Sequence, residues 1–96
     1  MNIENLLVEK KGTVLDVRSY EEYVAAHAPG SINIPLGEIP HELEKIKSLK
    51  RPLILCCASG NRSGMAERLL SAQGIDCCNG GSWMEINYLL SQLQTS

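Results

Sequence analysis

Residues 53–57, Leu-Ile-Leu-Cys-Cys, form a continuous apolar run that leads into a short polar loop. Such a run is expected of a central strand covered on both faces, and parallel sheets provide that environment. Short β-branched runs at 13–17, 32–34 and 75–78 alternate with stretches of helical periodicity. This alternation predicts an α/β fold in which a small parallel sheet has helices on both faces.

Apolar residues at helical spacing occupy the stretches between the expected strands. Ser19 is a suitable N-cap for the first helix, and Ala28-Pro29-Gly30 breaks it. A second helix is expected over about 37–47, where Pro40 fits only near the first turn. The side chains expected on one face of the first helix are Tyr20, Tyr23, Val24 and His27.

A third helix is expected from about Arg62, with Gly74 as its stop. Gly80 and Gly81 are expected to turn the chain out of the last strand and into a final helix. The residues expected to face inward from the third helix are Met65, Ala66, Leu69 and Leu70. The residues expected along one side of the final helix are Trp83, Ile86, Leu90 and Leu93.

The chain has 96 residues, of which 44% are hydrophobic, and this predicts one compact domain over residues 1–96. Its net charge of −2 gives no basic surface for nucleic acid or an anionic membrane. No apolar run approaches the roughly 20 residues that span a bilayer. The N-terminal residues lack the pattern of a signal peptide, so we expect a cytoplasmic protein.

The four cysteines occur as two adjacent pairs, Cys56-Cys57 and Cys77-Cys78. Neighbouring cysteines close a strained ring, so the pattern disfavours a disulfide framework. Zinc sites have a different ligand spacing, and His27 and His41 are distant in sequence from the cysteines. We therefore expect free thiols in a reducing compartment and no metal site.

The loop after the apolar run combines several features that favour an anionic sulfur. A thiol beside a helix N-terminus is shifted toward its thiolate. A short loop that contains Gly60 can turn its N–H groups inward to form an anion-binding nest, and Arg62 adds a permanent positive charge. Ligands of open parallel sheets bind beyond the carboxyl ends of the strands, which is where this loop falls. Its residues are Cys57, Ala58, Ser59, Gly60, Asn61, Arg62 and Ser63.

Four motifs in the same order resemble those of a rhodanese-homology domain. They are Leu-Asp-Val-Arg at 15–18, the segment 26–35 ending in Asn-Ile-Pro, the loop at 57–63, and Gly80-Gly81 followed by Trp83. The segment 26–35 has Ala26 where the family usually has glycine, and Trp83 comes earlier than the usual tryptophan. The resemblance covers most of the chain and implies the rhodanese-like α/β fold.

The resemblance also implies a sulfurtransferase in which Cys57 carries a sulfane sulfur as a persulfide. The N–H groups of residues 58–63 would stabilise the persulfide, and Arg62 would bind or orient the donor. Asp16 and Arg18 would be supporting residues near the loop. The implied donor is thiosulfate or a persulfide, and the implied acceptor is a thiol or, in an assay, cyanide. A protein donor or acceptor is compatible with this scheme, and no cofactor is implied because the cysteine itself carries the group.

Ala58 departs from the family pattern, because many members that use thiosulfate have a basic residue at this position. Thiosulfate is a dianion, so the absence of this cation should weaken its capture. We therefore expect that a protein persulfide or a low-molecular-weight persulfide is the physiological donor.

Two other functions fit parts of the sequence. A catalytically silent rhodanese-like binding module is disfavoured, because such modules often lack the cysteine. A phosphatase or arsenate reductase of the related fold is disfavoured by loop length, since Cys57 to Arg62 is Cys-x4-Arg and the phosphatases have Cys-x5-Arg. The loop also lacks an acidic residue that could serve an alkoxide leaving group.

The remaining cysteines and His27 are expected to be structural. Cys56 should point away from the loop residue Cys57, because successive side chains of a strand face opposite ways. Cys77 and Cys78 are expected to fill the core, and the alternative is that one of them forms a disulfide with an oxidised Cys57. His27 is expected to be a hydrogen-bonded structural residue rather than a general base.

Overall fold

The structure, a computed structural model, describes residues 2–94. In chain order the elements are α1 (Ile3–Val8), β1 (Thr13–Asp16), α2 (Tyr20–Ala25), β2 (Ile32–Asn33), a 3₁₀ helix (Leu36–His41), α3 (Leu43–Ser48), β3 (Leu53–Cys57), α4 (Asn61–Ala72), β4 (Cys77–Ser82) and α5 (Trp83–Gln94). No helix within residues 2–94 is long and apolar enough to cross a membrane.

The four strands form one sheet in the order β2-β1-β3-β4, and every pair is parallel. Leu15 of β1 pairs with Ile32 on one side and with Leu55 on the other, so β1 and β3 are the two central strands. The expected parallel α/β fold, with helices on both faces of a small sheet, is confirmed.

β3 is buried along its whole length, as its apolar sequence predicts. Leu53, Leu55 and Cys57 belong to one core cluster, which includes residues of the 3₁₀ helix, α3 and α4. Ile54 and Cys56 belong to a second cluster, which includes residues of α1 and α5. The two clusters lie on opposite faces of the sheet because side chains alternate along a strand. Cys56 therefore faces away from Cys57, as expected.

α2 is shorter than its sequence pattern suggests, and it buries none of its residues. Its N-cap is the expected Ser19, which forms a capping box with Glu22. The expectation of an apolar face is wrong, because Tyr20 is 65% exposed and Val24 is 58% exposed. Six residues make fewer than two turns, so a face that extends over the eight positions from Tyr20 to His27 does not fit on this helix. His27 follows the helix as an exposed residue, where its ring stacks on that of Tyr23 and its Nδ1 lies 2.7 Å from the Tyr23 carbonyl oxygen.

The single helix expected over about 37–47 is divided in two. The first part is the 3₁₀ helix, which contains Pro40, and the second part is α3. Proline has no N–H to donate and its ring clashes with the carbonyl four residues earlier, so a continuous α-helix is broken there. Ile39 and Ile46, one in each part, are both buried.

α4 packs on the sheet through a narrower face than expected. Ala66 and Leu70 are fully buried, together with Ser63. Met65 and Leu69 were expected to face inward, but they are 47% and 46% exposed. Buried positions spaced by three and four residues form a single stripe, and Met65 and Leu69 lie beside that stripe.

β4 extends further than expected and replaces the predicted turn. Gly80 and Gly81 lie inside the strand, and α5 begins at Trp83 directly after it. Leu55 pairs with Asn79 whereas Cys56 pairs with Gly81, so Gly80 is the extra residue of a β-bulge. A Cβ atom at Gly80 would lie 2.9 Å from Cγ2 of Ile54, which leaves space only for glycine. α1, which has no counterpart in the sequence prediction, buries Leu7 in the same cluster as Ile86 of α5.

Candidate active site

The site lies where the two central strands end and their connections diverge. From β1 the chain passes through α2 to β2, which is one edge strand of the sheet. From β3 it passes through α4 to β4, which is the other edge strand. The carboxyl ends of two such strands form a crevice, which is the usual ligand site of open parallel sheets. The loop after β3 therefore faces the first turn of α2, and side chains from both sides meet there.

Cys57 is the last residue of β3, and its Sγ receives several hydrogen bonds from the loop. The N–H of Gly60 lies 3.0 Å from Sγ and that of Ser63 lies 3.5 Å from it. The Oγ of Ser63 is also 3.5 Å from Sγ. Burial by itself raises the pKa of the Cys57 thiol, but the Ser63 hydroxyl and the N–H groups of Ser63, Ser59 and Gly60 lower it to about 7. A large fraction of Cys57 is consequently thiolate at neutral pH.

Gly60 allows the loop to close around the sulfur. It is the N-cap of α4 and has a φ of 101°, in the left-handed region that favours glycine. α4 starts at Asn61, so its N-terminal N–H groups and positive dipole end lie beside Cys57. The exposed residues of the loop are Ala58, Ser59 and Asn61.

Asn79 of β4 links the loop to the neighbouring strand, a role that the sequence analysis does not predict. Its Nδ2 donates to the Gly60 carbonyl at 3.0 Å. Its Oδ1 accepts from the Ser63 hydroxyl at 2.6 Å and from the Gly81 N–H at 2.9 Å. One side chain thus holds the backbone of the loop and the hydroxyl that contacts Cys57. A polar residue directly before the paired glycines is the only signal of this role in the sequence.

Arg62 forms a two-point ion pair with a residue from α2. Its Nη1 lies 2.7 Å from Oε1 of Glu22, and its Nη2 lies 3.0 Å from Oε2. The hydrogen bonds from Arg62, followed by the N–H of Ser19, lower the pKa of the Glu22 carboxyl to about 2. The resemblance assigns Arg62 to the sulfur donor, whereas the structure pairs it with Glu22. Glu22 was not singled out from the sequence, because only the fold brings these two helix N-termini together.

Asp16 and Arg18 form a second ion pair, which is buried beside the site. Nη2 of Arg18 lies 2.8 Å from Oδ2 of Asp16, and the two side chains are 5% and 0% exposed. Nη2 also donates to the Ala26 carbonyl at 2.7 Å, and the guanidinium carbon lies 4.7 Å from the centre of the Trp83 ring. Asp16 pairs in register with Cys56, one residue before Cys57. The pair therefore fixes the end of β1 next to the base of the loop.

The other three cysteines have pKa values shifted in the opposite direction. Burial, followed by the charge of Asp16, raises the pKa of Cys56 to about 12. Burial also raises the pKa values of Cys77 and Cys78. Cys77 pairs with Leu53 at the opposite end of β3, four residues from Cys57, which is roughly 13 Å along a strand. A direct disulfide between Cys57 and Cys77 does not fit that separation.

All four thiols are free, and Cys77 and Cys78 pack against the two core clusters. Within the described part of the chain, no group of three histidine, cysteine or acidic side chains is arranged to hold a metal ion. The chemically distinctive feature is therefore the thiolate of Cys57 inside its loop.

A family model for the rhodanese-like domain matches residues 3–87. The chain belongs to the rhodanese-like domain family. A solved rhodanese-like domain protein from Staphylococcus aureus is similar to it with a TM-score of 0.74 and 32% identity, over 88% of this chain and 83% of that chain.

Two relatives of this rhodanese-like domain have names that state an activity on thiosulfate. The thiosulfate:glutathione sulfurtransferase of Saccharomyces cerevisiae is 37% identical over 73 residues, which cover 64% of this chain and 52% of the relative. The thiosulfate sulfurtransferase PspE of Escherichia coli is 36% identical over 61 residues, covering 62% of this chain and 59% of the relative. The chain thus spans less than two thirds of the length of either curated relative.

Proposed function

We propose that this domain is a sulfurtransferase that takes a sulfane sulfur onto Cys57 and passes it to a thiophilic acceptor. The observation that carries the proposal is the hydrogen-bonded sulfur of Cys57, whose pKa is about 7 although the side chain is only 1% exposed. A buried thiol without such donors would be inert. The names of the yeast and Escherichia coli relatives support the same activity.

In the first step the Cys57 thiolate attacks the outer sulfur of the donor. With thiosulfate, a new S–S bond forms to Cys57, the donor's S–S bond breaks, and sulfite leaves with the electron pair. With a persulfide, the leaving group is the donor's thiolate. The terminal sulfur of the resulting Cys57 persulfide is an anion, and the loop N–H groups from residues 58–63 stabilise it.

In the second step an acceptor removes the terminal sulfur and restores the Cys57 thiolate. A thiol acceptor becomes a persulfide and cyanide becomes thiocyanate, so no external oxidant or reductant is required. Because the enzyme is covalently modified between the two half-reactions, ping-pong kinetics are expected. We infer that the cellular acceptor is a thiol, on a small molecule or on a protein, in a compartment where thiols stay reduced.

The geometry disfavours phosphate hydrolysis at the same loop. Phosphatases of the related fold have the longer loop Cys-x5-Arg, which makes room for a tetrahedral phosphate. Here Arg62 is paired with Glu22, and Cys-x4-Arg makes a ring one residue smaller. A smaller ring suits attack at a single sulfur atom.

The test is the intact mass of the protein before and after incubation with thiosulfate, and separately with a low-molecular-weight persulfide. We expect the gain of one sulfur atom with at least one donor, loss of that gain on adding cyanide, and no gain in Cys57→Ser. Cys77→Ser is the matched control, because it removes a half-buried thiol at the far end of the sheet and should leave the gain intact. Absence of any gain with both donors, or turnover of an aryl phosphate that depends on Cys57, would contradict the proposal.

A further inference from the structure

We propose that Glu22 determines which donors the site accepts, by holding Arg62 in an ion pair and so disfavouring dianions. The favoured donors are those whose reacting end carries one negative charge or none, namely persulfides and thiosulfonates. This inference rests on the proposed sulfurtransferase function and assigns a specificity role to a residue outside the active-site loop.

The ion pair leaves little hydrogen-bonding capacity free on the Glu22 carboxylate. Its Oε1 accepts from Nη1 of Arg62 at 2.7 Å and from both the N–H and the hydroxyl of Ser19 at 3.1 Å. Its Oε2 accepts from Nη2 of Arg62 at 3.0 Å. The capping box thus fixes the carboxylate, and the carboxylate fixes the guanidinium. The partner of Arg62 is therefore a carboxylate that is itself hydrogen-bonded to the N-cap residue of α2.

The pair lies at the edge of the reacting centre. The side chains of Arg62 and Glu22 are 37% and 38% exposed, so an incoming donor can reach them. The hydrogen bonds to Glu22 raise the pKa of Arg62, burial opposes that rise, and the charge of the Cys57 thiolate adds to it. Arg62 is therefore within electrostatic reach of the sulfur, and Glu22 moderates its field there.

The charge balance at the site follows from these three groups. The thiolate of Cys57 and the carboxylate of Glu22 are negative, and Arg62 is a positive group that pairs with Glu22 and senses the charge of Cys57. Their sum is one negative charge, and Ala58 contributes no cation at the edge of the loop. A dianion such as thiosulfate is repelled twice as strongly by that net charge as a monoanion. A dianion also has to compete with Glu22 for the two N–H groups that Arg62 directs toward the carboxylate.

A persulfide donor avoids that repulsion. Its outer sulfur is attacked by the Cys57 thiolate, the S–S bond to the carrier breaks, and the carrier leaves as a thiolate with the electron pair. The reacting end carries at most one negative charge, so it does not need Arg62 as a counter-ion. The pairing with Glu22 can then persist through the reaction and keep the first turns of α2 and α4 together.

The proposal is tested with Glu22→Gln, assayed with thiosulfate and with methanethiosulfonate as donors and cyanide as acceptor. Thiosulfate carries one more negative charge than methanethiosulfonate. The leaving groups are alike, because thiosulfate releases sulfite and methanethiosulfonate releases a sulfinate. Glutamine retains the hydrogen bonds of the capping box but removes the negative charge. We expect kcat/KM for thiosulfate to increase on the order of tenfold, whereas that for methanethiosulfonate changes much less. The ratio of the two values is a readout that mere destabilisation of the helix would not change.

Glu21→Gln is the matched control, since Glu21 is an exposed neighbour in the same first turn of α2. It removes the same charge from the same helix and should leave the donor ratio within about twofold of the wild type, because exposed charges farther away are screened. The double variant Glu22→Gln/Arg62→Met should lose the gain, because the gain requires the released arginine. The gain should also decrease at high ionic strength.

The outcomes separate this inference from the proposed function. If the wild type gains sulfur from a donor but the donor ratio is the same in Glu22→Gln, the role of Glu22 is overturned and the sulfurtransferase stands. If both donors lose activity equally in Glu22→Gln, the residue is purely structural and the inference also fails. If the wild type gains sulfur from no donor, the proposed function fails and the role of Glu22 fails with it.

Discussion

Cys56 and Cys57 are adjacent in sequence and almost equally buried, yet their thiols are shifted in opposite directions. Their exposed fractions are 0% and 1%, whereas their pKa values are about 12 and about 7. The thiol of Cys56 lies in an apolar cluster, and the negative charge of Asp16 raises its pKa further. The thiol of Cys57 instead accepts hydrogen bonds from N–H groups of the loop. Burial alone therefore does not decide the reactivity of a cysteine in this fold. Stronger desolvation raises the pKa of Cys56, whereas hydrogen-bond donors replace at Cys57 the water that burial removes, and the two effects together separate the pKa values.

The largest expected difference between Cys56 and Cys57 is in the rate at which each thiol is alkylated. At pH 7 a pKa of about 7 leaves Cys57 about half ionised and a pKa of about 12 leaves Cys56 about 10⁻⁵ ionised, so the thiolate fractions differ by about 5 × 10⁴. The lower intrinsic nucleophilicity of the more acidic thiol reduces this ratio in part. We expect iodoacetamide to modify Cys57 first, with a rate that increases up to about pH 7 and then levels off. Mass spectrometry of peptides gives both rates, and rapid modification of Cys56 in folded protein would contradict the comparison.

The buried Asp16–Arg18 ion pair acts on Cys56 through its charges. Breaking the pair should therefore lower the stability of the fold and leave the pKa of Cys57 unchanged. Asp16→Asn leaves Arg18 buried without its counter-ion, and loss of one partner of such a pair costs about 3–5 kcal/mol. We expect the free energy of unfolding in urea to decrease by that amount. The Cys57 pKa, measured by pH-dependent alkylation under folding conditions, should remain at about 7. A shift of that pKa toward 9 would indicate that the pair also orders the loop.

The strands β1 and β3 and the loop at 57–63 could be predicted from the sequence because their signals are local. An unbroken apolar run and a glycine before a helix each have few structural interpretations. Glu22 and Asn79 could not be found in this way, since they reach the loop only after α2 and β4 have packed on either side of it. The end of β4 was missed because paired glycines signal a turn, whereas here Gly80 is required by its close contact with Ile54.

The two cysteines should also give stability opposite dependences on pH. The pKa of Cys57 is lowered in the folded state from 9.0 to about 7, so between those values the unfolded chain binds more protons. Stability therefore increases from pH 7 to pH 9, by about 3 kcal/mol for two pKa units, and this contribution is lost as pH decreases through 7. The pKa of Cys56 is raised from 9.0 to about 12, so stability decreases above pH 9 as the unfolded thiol ionises.

Urea denaturation of the wild type, Cys57→Ala and Cys56→Ala at several pH values measures these slopes. Cys57→Ala should abolish the increase between pH 7 and pH 9 and retain the decrease above it. Cys56→Ala should retain the increase and reduce the decrease, to which Cys77 and Cys78 also contribute because their pKa values are raised. An unchanged slope from pH 7 to pH 9 in Cys57→Ala would mean that the loop does not stabilise the thiolate.

The smallest expected effect concerns the Ser63 hydroxyl, which lies between Cys57 and Asn79. This hydroxyl has one proton, and in the structure it donates to Oδ1 of Asn79 at 2.6 Å while its oxygen lies 3.5 Å from Sγ of Cys57. The hydroxyl can rotate its proton from Asn79 to the thiolate, so Ser63→Ala removes this shared donor and should raise the Cys57 pKa by about one unit, or about 1.4 kcal/mol. The N–H groups of Gly60 and residue 63 remain, so the pKa should stay below 9.0.

Asn79→Ala should change the Cys57 pKa in the opposite direction, because the Ser63 proton is then free to point at the sulfur. The same change removes the hydrogen bond from Asn79 to the Gly60 carbonyl, so the loop is less firmly attached to β4. A lower pKa together with reduced thermal stability would identify Asn79 as a competitor for the hydroxyl proton as well as an anchor for the loop. An increase in the pKa equal to that of Ser63→Ala would mean instead that positioning of the loop by Asn79 outweighs the competition. Titration of the alkylation rate in both variants, with Ser59→Ala on the exposed edge of the loop as the control, distinguishes these outcomes.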